Sequence, residues 1–215
     1  SMSRLEEIKR RRTFAIISHP DAGKTTLTEK LLLFGGAIQT AGAVKSNKIK
    51  RHATSDFMEI EKQRGISVAT SVMGFDYRGL QINILDTPGF DDFVGEIVSS
   101  LKVADTSVML LNAKNGVEVG SEIIWEYIQD YKTPAIIVIN KMDHDKADFE
   151  NSLEQAQNRF GSKVLPVQFP INAGNGFNTI VDALRMTMYV FPPDGGKPQK
   201  QDIPESEMSR AQEMH

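Results

Sequence analysis

Short apolar runs alternate, over most of the chain, with segments in which apolar residues recur at helical spacing. The apolar runs predict strands at residues 13–18, 68–77, 80–85, 106–112, 134–140 and 164–169. Helical spacing is carried by Phe93, Ile97, Val98 and Leu101, by Ile123, Ile124, Tyr127, Ile128 and Tyr131, and by Phe149, Leu153, Ala156 and Phe160. The strands at 68–77 and 80–85 are joined too tightly for a helical crossover, so they are predicted to form an antiparallel hairpin. The other connections predict an α/β fold, with a mostly parallel sheet covered by helices on both faces.

Two segments depart from this alternation. Residues 35–64 have no sustained apolar period and are predicted to form a long loop with a short helix at 55–62. After Phe191, prolines and glycines punctuate a polar segment that offers little to bury. Residues 1–190 are therefore expected to form one domain, and residues 191–215 a linker that leads into a further subdomain.

Composition narrows the class of protein. The 215 residues include no cysteine, which excludes disulfides, thiolate metal sites and a cysteine nucleophile. No apolar run approaches the length of a membrane span, and the four histidines show no metal-ligand or nucleophile spacing. A net charge of −3 argues against non-specific coating of nucleic acid. We expect a soluble, monomeric, cytoplasmic protein.

The first predicted strand leads into a loop with the spacing of a Walker A phosphate-binding motif. The loop and the start of the next helix read Ser18, His19, Pro20, Asp21, Ala22, Gly23, Lys24, Thr25 and Thr26, with serine where the motif has its first glycine. Backbone N–H groups of such a loop surround a β-phosphate, and the following helix directs its positive end there. Lys24 is predicted to contact the β- and γ-phosphates, and the Thr25 hydroxyl to bind Mg²⁺. The alternative is a strand–turn–helix in which Gly23 serves only the turn.

A second motif follows the strand predicted at 134–140 and reads Asn140, Lys141, Met142 and Asp143. The Asp143 carboxylate can accept hydrogen bonds from N1–H and the exocyclic amine of guanine, whereas adenine offers no such pair of donors. Lys141 is predicted to lie along the purine face, and Asn140 to tie this loop to the phosphate loop. Alone, the pattern is a common polar turn. At a strand end, downstream of a Walker A loop, it indicates guanine recognition.

A third motif, Asp86, Thr87, Pro88 and Gly89, follows the strand predicted at 80–85. Asp86 is predicted to hold Mg²⁺ through a water, and the Gly89 N–H to meet the γ-phosphate, so that this phosphate moves the segment that follows. A turn without further function is the alternative. Three motifs in this order at three strand ends predict a P-loop NTPase fold that binds GTP and GDP.

These motifs belong to longer runs that resemble the translational GTPases. The runs are residues 19–32, which begin His-Pro-Asp-Ala-Gly-Lys-Thr, residues 61–67, which read Glu-Lys-Gln-Arg-Gly-Ile-Ser, and residues 86–89. The chain is most similar to the N-terminal GTP-binding domain of elongation factor G, which residues 164–171 and 177–186 also favour. The peptide-chain release-factor GTPase and the tetracycline-resistance ribosome-protection proteins are the alternatives. The resemblance implies GTP hydrolysis, Mg²⁺ as cofactor, and the ribosome with its RNA as partner of the full-length factor.

The resemblance also implies a set of Mg²⁺ ligands. Residues 35–67 correspond to the first switch loop, whose last hydroxyl binds Mg²⁺ and the γ-phosphate when GTP is present. Most members have threonine at that position, and this chain has serine. The predicted metal ligands are therefore Thr25, Ser67 and Asp86.

Catalysis is implied at Lys24, Gly89 and the residue that follows Gly89. Family members have a histidine after the glycine, and it positions the attacking water. This chain has Phe90 there, which neither donates nor accepts a hydrogen bond, so we predict that GTP binds while its hydrolysis is slow or absent. One alternative is a GTP-responsive binding module without turnover. Another is that Asp91, Asp92 or His19 replaces the histidine, or that the phosphates and the ribosome supply most of the catalytic effect.

A further loop of GTPases, commonly Ser-Ala-x, meets the guanine carbonyl with a backbone N–H. Asn172, Ala173 and Gly174 fit this loop, because they follow the strand predicted at 164–169 and precede helical spacing at Phe177, Ile180, Val181, Leu184 and Met188. The resemblance implies instead that an inserted subdomain begins here. Residues 1–190 are then a G domain that lacks its last strand and helix, and residues 191–215 are a linker and the truncated start of the insert.

Overall fold

A computed structural model describes residues 3–18, 23, 27, 71–86 and 94–215 of the chain. They fall in two compact units, the first within Ser1–Leu110 and Val119–Val138, the second within Leu111–Glu118 and Ile139–His215. The predicted loop at 35–64 and its short helix lie outside the described residues. No helix in the described part of the chain is both long and apolar enough to cross a membrane.

The larger sheet has five strands in the order β2-β3-β1-β4-β5. The strands are β1 (Arg11–Ser18), β2 (Ser71–Tyr77), β3 (Leu80–Asp86), β4 (Thr106–Asn112) and β5 (Ala135–Asn140). β1 is parallel to β3 and to β4, whereas β2 and β3 form the predicted antiparallel hairpin. Helices α1 (Arg4–Arg10), α2 (Val94–Val103) and α3 (Val119–Asp130) accompany these strands in the sequence. The predicted α/β fold class, with its mostly parallel sheet, is confirmed.

The core of the first unit explains why β1 is apolar over most of its length. Ala15, Ile16 and Ile17 are fully buried, as expected for a central strand with neighbours on both sides. Ile16 packs in a cluster with Met73, Ile84, Val108 and Leu110. The start of β1 is fixed to the loop before β4: Thr13 N–H donates to the Asp105 carboxylate at 2.7 Å, and Asp105 N–H donates to the Thr13 carbonyl at 2.9 Å.

Apolar periodicity does not predict α1, because this helix is short and buries none of its residues. Its sequence signal is a capping box, in which Ser3 Oγ accepts from Glu6 N–H at 3.2 Å and Ser3 N–H donates to the Glu6 carboxylate at 2.7 Å. Hydrogen bonding of the Glu6 carboxylate to Ser3, first from the Ser3 backbone N–H and then from its side chain, holds the pKa of Glu6 below its ordinary value.

Two buried serines in the first unit, Ser100 and Ser107, have hydroxyl groups for which the described residues provide no hydrogen-bond partner. Replacing Ser107 by alanine is expected to raise the free energy of unfolding by about 1 kcal/mol, because a desolvated, unsatisfied hydroxyl is removed. The matched control is Ser152→Ala. Ser152 is equally buried, but its hydroxyl donates to the Asp148 carbonyl at 2.8 Å, so its loss is expected to lower stability by a similar amount.

Thermal unfolding measures both variants, and each change corresponds to roughly 2–4 °C in Tm for a chain of this size. Ser107→Ala is expected to raise Tm and Ser152→Ala to lower it. A decrease in both variants would mean that packing, and not hydrogen-bond satisfaction, decides the outcome at Ser107.

The second unit contains a four-stranded antiparallel sheet in the order β6-β7-β8-β9. Its strands are β6 (Gln168–Pro170), β7 (Thr179–Asp182), β8 (Thr187–Val190) and β9 (Gln199–Gln201), and its helices are α4 (Phe149–Phe160) and α5 (Glu205–Met214). The buried residues that join them are Phe169, Val181, Met188, Ile203 and Ala211. Arg210 of α5 lies over the Phe169 ring, 4.2 Å from its centroid, and pairs with Glu150 of α4. Partial burial lowers the pKa of Arg210.

Three sequence predictions are wrong in this unit. The helical spacing at Phe177, Ile180, Val181, Leu184 and Met188 belongs to the β7–β8 hairpin, whose turn is closed by Asp182 Oδ1 accepting from the N–H groups of Leu184 and Arg185 at 3.0 and 3.1 Å. Of the strand predicted at 164–169, only the last two residues lie in a strand, β6, which begins at Gln168. The segment after Phe191 forms β9 and α5, because Ile203 and Ala211 are buried against the sheet. A domain boundary between 190 and 191 stays a prediction.

Candidate nucleotide-binding site

The described residues hold part of each predicted motif. Ser18, Gly23 and the backbone of Asp86 lie in the first unit, and Asn140, Lys141 and Asp143 in the second. The other predicted site residues, which lie outside the described residues, are His19, Pro20, Asp21, Ala22, Lys24, Thr25, Thr26, Ser67, Gly89 and Phe90.

Strand β1 ends at the residue where the predicted phosphate loop begins. Ser18, the last residue of β1, is buried, and it pairs in register with Leu110 of β4. Asp86 ends β3 and pairs in register with Ile16, two residues before Ser18. Since β3 and β4 are both parallel to β1, Ser18 and Asp86 belong to the same edge of the sheet. This is the placement expected if Ser18 begins a Walker A loop and Asp86 is the predicted magnesium carboxylate.

Gly23 has the backbone conformation and the neighbour expected at the end of a phosphate loop. Its φ of +89° lies in the left-handed region, which glycine adopts without steric cost. Leu27 N–H donates to the Gly23 carbonyl at 3.0 Å, which is the spacing of the first helical turn. The Leu27 side chain packs against the core cluster around Ile16, so it anchors that turn to the sheet. The described residues of this segment, Ser18 at a strand end, Gly23 in the left-handed region and Leu27 in a helical conformation, agree with the predicted motif.

The second motif begins at Asn140, the last residue of β5, and is bent sharply at its second residue. Lys141 has a φ of +60°, an uncommon conformation for a residue with a side chain, and such residues concentrate at functional sites. His144 N–H donates to the Lys141 carbonyl at 3.2 Å and closes the turn. Met142 is buried, whereas the carboxyl-bearing residue beside it, Asp143, is exposed. The turn thus anchors one side chain and leaves the predicted guanine acceptor accessible.

Ala113, which follows β4, holds the first residue of this motif by a hydrogen bond. Its N–H donates to the Asn140 carbonyl at 2.9 Å. Its own carbonyl accepts from Asp148 N–H at 3.0 Å and from the Ser152 hydroxyl at 3.2 Å. Asp148 also caps α4, because its carboxylate accepts from Asn151 N–H at 3.0 Å. The motif is therefore held between the end of β4 and the first turn of α4.

A second contact holds the motif at Met142, and sequence reasoning did not find it. Gly174 N–H donates to the Met142 carbonyl at 2.7 Å. The two residues are far apart in the sequence, so no local pattern announces the contact. In the sequence, the glycine stands out only as part of the predicted Asn172-Ala173-Gly174 loop.

Comparison with known proteins shows the family. The family model of the elongation factor Tu GTP binding domain matches residues 9–207. The chain belongs to this family of translational GTPase domains. Its α/β fold, with Ser18, Asp86 and Asn140 each at the end of a strand, agrees with that membership.

Individual relatives of this GTP-binding domain carry release-factor names. The chain is 50% identical over 187 residues to peptide chain release factor 3 of Nitrosomonas eutropha, covering 87% of the chain and 35% of that protein. It is 49% identical over 186 residues to peptide chain release factor 3 of Symbiobacterium thermophilum, with 86% and 35% covered. A crystal structure of ttk003000868 from Thermus thermophilus superposes with a TM-score of 0.76 at 32% identity, covering 94% of the chain and 30% of that protein. The chain thus spans about a third of the length of these curated relatives.

The predicted Mg²⁺ ligands of this GTP-binding domain are hydroxyl and carboxylate oxygens, the hard donors that Mg²⁺ prefers. Thr25 and Ser67 lie outside the described residues, and Asp86 is described by its backbone alone. Within the described ranges, no group of three or more acidic or histidine side chains is arranged to hold a metal ion. The ligand set therefore stays a prediction that matches Mg²⁺ by donor type.

Proposed function

We propose that this chain is the GTP-binding domain of a factor that acts on the ribosome, and that it binds GTP and GDP together with Mg²⁺. The observation that carries the proposal is the turn at residues 140–143, bent at Lys141 and held by hydrogen bonds at Asn140 and Met142, in a chain of the translational GTPase family. An exposed carboxylate on a fixed turn suits recognition of a base, because the turn need not be ordered when the ligand binds.

Guanine is the base that this turn suits. The Asp143 carboxylate accepts from N1–H and the exocyclic amine, and a purine without those donors leaves it desolvated and unpaired. The methylenes of Lys141 cover the purine face. In the same proposal, the loop from Ser18 to Thr26 surrounds the phosphates, with Lys24 as its point charge.

Magnesium, when bound, neutralises charge between the β- and γ-phosphates. Thr25 and Ser67 would hold it with their hydroxyl groups, and Asp86 through a water. The segment after Gly89 responds to the γ-phosphate, so the nucleotide state changes the surface that the factor presents to the ribosome.

Within the family, we propose a factor of the peptide-chain release type, because the relatives that match over most of this chain are named peptide chain release factor 3. A translocation factor like elongation factor G is the second candidate. It is favoured by the resemblance of residues 164–171 and 177–186. Assays of the full-length factor on ribosomes separate the two: GTP-dependent stimulation of peptide release supports the first, and stimulation of translocation supports the second.

Nucleotide binding is tested with a fluorescent GDP analogue and the 215-residue chain. Unlabelled GDP and GTP are expected to displace the analogue, whereas ADP and ATP at the same concentrations are not. Lys24→Ala is expected to weaken GDP binding by about 10- to 100-fold, because a charge-assisted contact with phosphate is lost.

Lys114→Ala is the control for a general loss of positive charge, since Lys114 is exposed and lies in none of the predicted motifs. Its GDP affinity is expected to equal that of the wild type. Equal displacement by ADP and GDP would contradict the proposed function.

A further inference from the structure

The loop between β6 and β7, residues 172–178, contacts the guanine motif within the second unit. Gly174 is buried there, and its N–H donates to the carbonyl of Met142 at 2.7 Å. Met142 is buried as well, so its carbonyl depends on a protein donor. The exposed Asp143 is the next residue, and a shift of the Met142 peptide necessarily moves it.

The loop is stiffened by one amide side chain. Asn172 Oδ1 accepts from the N–H groups of Asn178 and Thr179 at 3.2 and 3.1 Å. Its Nδ2 donates to the Gly176 carbonyl at 3.1 Å and to Asn178 Oδ1 at 2.8 Å. These four hydrogen bonds close the loop on itself, so the position of Gly174 is set by the fold.

The loop is in turn tied to the antiparallel sheet. Ile171 N–H donates to the Thr179 carbonyl at 3.0 Å, and Phe191 N–H donates to the Asn178 carbonyl at 2.8 Å. Hydrogen bonds thus hold Asn172 to the end of the sheet, and Gly174, two residues further along the chain, donates to the Met142 carbonyl.

We propose that residues 172–178, here called the bracing loop, position the guanine motif and so sharpen the selectivity of Asp143 for guanine. The inference rests on the proposed function, because it names what sets the geometry of that same site. The sequence pattern at Asn172-Ala173-Gly174 suggested that a backbone N–H of this loop meets the guanine carbonyl. In the structure, the Gly174 N–H donates to the Met142 carbonyl instead. Gly174 and Asn172 are positioning residues, and they act on the base through Met142 and Asp143.

The test compares GDP with inosine diphosphate, which lacks the exocyclic amine of guanine but keeps N1–H. In the wild-type chain, the second hydrogen bond to Asp143 makes GDP the tighter ligand. Gly174→Ala puts a side chain at a φ of +100°, where such residues are strained, so the loop has to shift away from Met142. The preference for GDP over inosine diphosphate is expected to fall about tenfold, which is the effect of a weakened hydrogen bond to a charged group.

Gly161→Ala is the matched control for backbone strain. Gly161 has a φ of +114°, a Cβ there meets nothing within 4 Å, and the residue caps α4 without contacting the guanine motif. This variant is expected to lose thermal stability as Gly174→Ala does while keeping the wild-type preference between the two nucleotides. Asn172→Ala is the second test variant. It keeps the glycine at position 174 but removes the side-chain hydrogen bonds that close the bracing loop, and it is expected to lower the same preference.

The outcomes separate this inference from the proposed function. If wild-type chain does not prefer GDP to ADP, the proposed function fails and the inference fails with it. If wild-type chain prefers GDP, but Gly174→Ala and Asn172→Ala weaken GDP and inosine diphosphate equally, the inference alone is overturned. A reduced preference in both variants, with an unchanged preference in Gly161→Ala, supports it.

Discussion

Asp143→Asn is expected to convert the chain from a guanine-nucleotide binder to a xanthine-nucleotide binder. The carboxylate accepts two hydrogen bonds from guanine, and the asparagine amide replaces one acceptor by an N–H₂ donor. That donor faces the exocyclic amine of guanine, which also donates, but matches the carbonyl that xanthine carries at the same ring position. Two hydrogen bonds to a charged group are involved, so GDP affinity is expected to fall by at least about 100-fold.

Competition titrations with GDP, xanthosine diphosphate and ADP measure this exchange of preference. The control is Asp145→Asn, which neutralises an exposed carboxylate two residues away whose Oδ1 lies 2.9 Å from His144 Nδ1. It alters the net charge of the loop equally and is expected to retain GDP selectivity. An Asp143→Asn chain that still prefers GDP to xanthosine diphosphate would show that another group reads the base.

Phe90→His is expected to accelerate ribosome-stimulated GTP hydrolysis by the full-length factor about 10²- to 10⁴-fold, the usual contribution of a positioned acid–base group. An imidazole can hold the attacking water by a hydrogen bond, and a phenyl ring cannot. The prediction rests on the sequence, since Phe90 lies outside the described residues.

Single-turnover cleavage of GTP on ribosomes is the measurement for this variant. Phe90→Leu is the matched control, because it changes the apolar side chain without adding a hydrogen-bonding group, and its rate is expected to equal the wild-type rate. Equally rapid cleavage by wild type and Phe90→His would refute the assignment. It would point to Asp91, Asp92 or His19, or to the ribosome, as the source of the missing group.

The elements around the nucleotide motifs were predictable because each motif marks a strand end. The strand predicted at 106–112 coincides with β4, and the strands predicted at 13–18 and 134–140 end at the same residues as β1 and β5. Buried parallel strands are continuous apolar runs, which stand out in any sequence.

The β7–β8 hairpin was not predictable in the same way. Apolar residues at Phe177, Ile180, Val181 and Leu184 satisfy a helical period as well as a short strand, and local spacing does not decide between them. The decision comes from pairing with β6, which places Val181 opposite the buried Phe169, and from the turn that Asp182 closes.

The contact between the bracing loop and the guanine motif could not be predicted from the sequence for a similar reason. The hydrogen bond between Gly174 and Met142 joins backbone atoms, so no side-chain pattern reports it. Likewise, α5 buries only Ala211, and its mostly polar sequence does not indicate a helix packed on a sheet. Contacts made by backbone groups and small residues depend on the completed fold.

The most direct measurement is a crystal structure of the chain with GDP and Mg²⁺. We expect both Asp143 carboxylate oxygens within hydrogen-bond distance of guanine N1 and N2, Lys24 against the β-phosphate, and the Gly174–Met142 hydrogen bond retained. A nucleotide bound with its base facing any other loop, or no nucleotide bound at saturating GDP, would contradict the assignment of residues 140–143 as the guanine-binding motif.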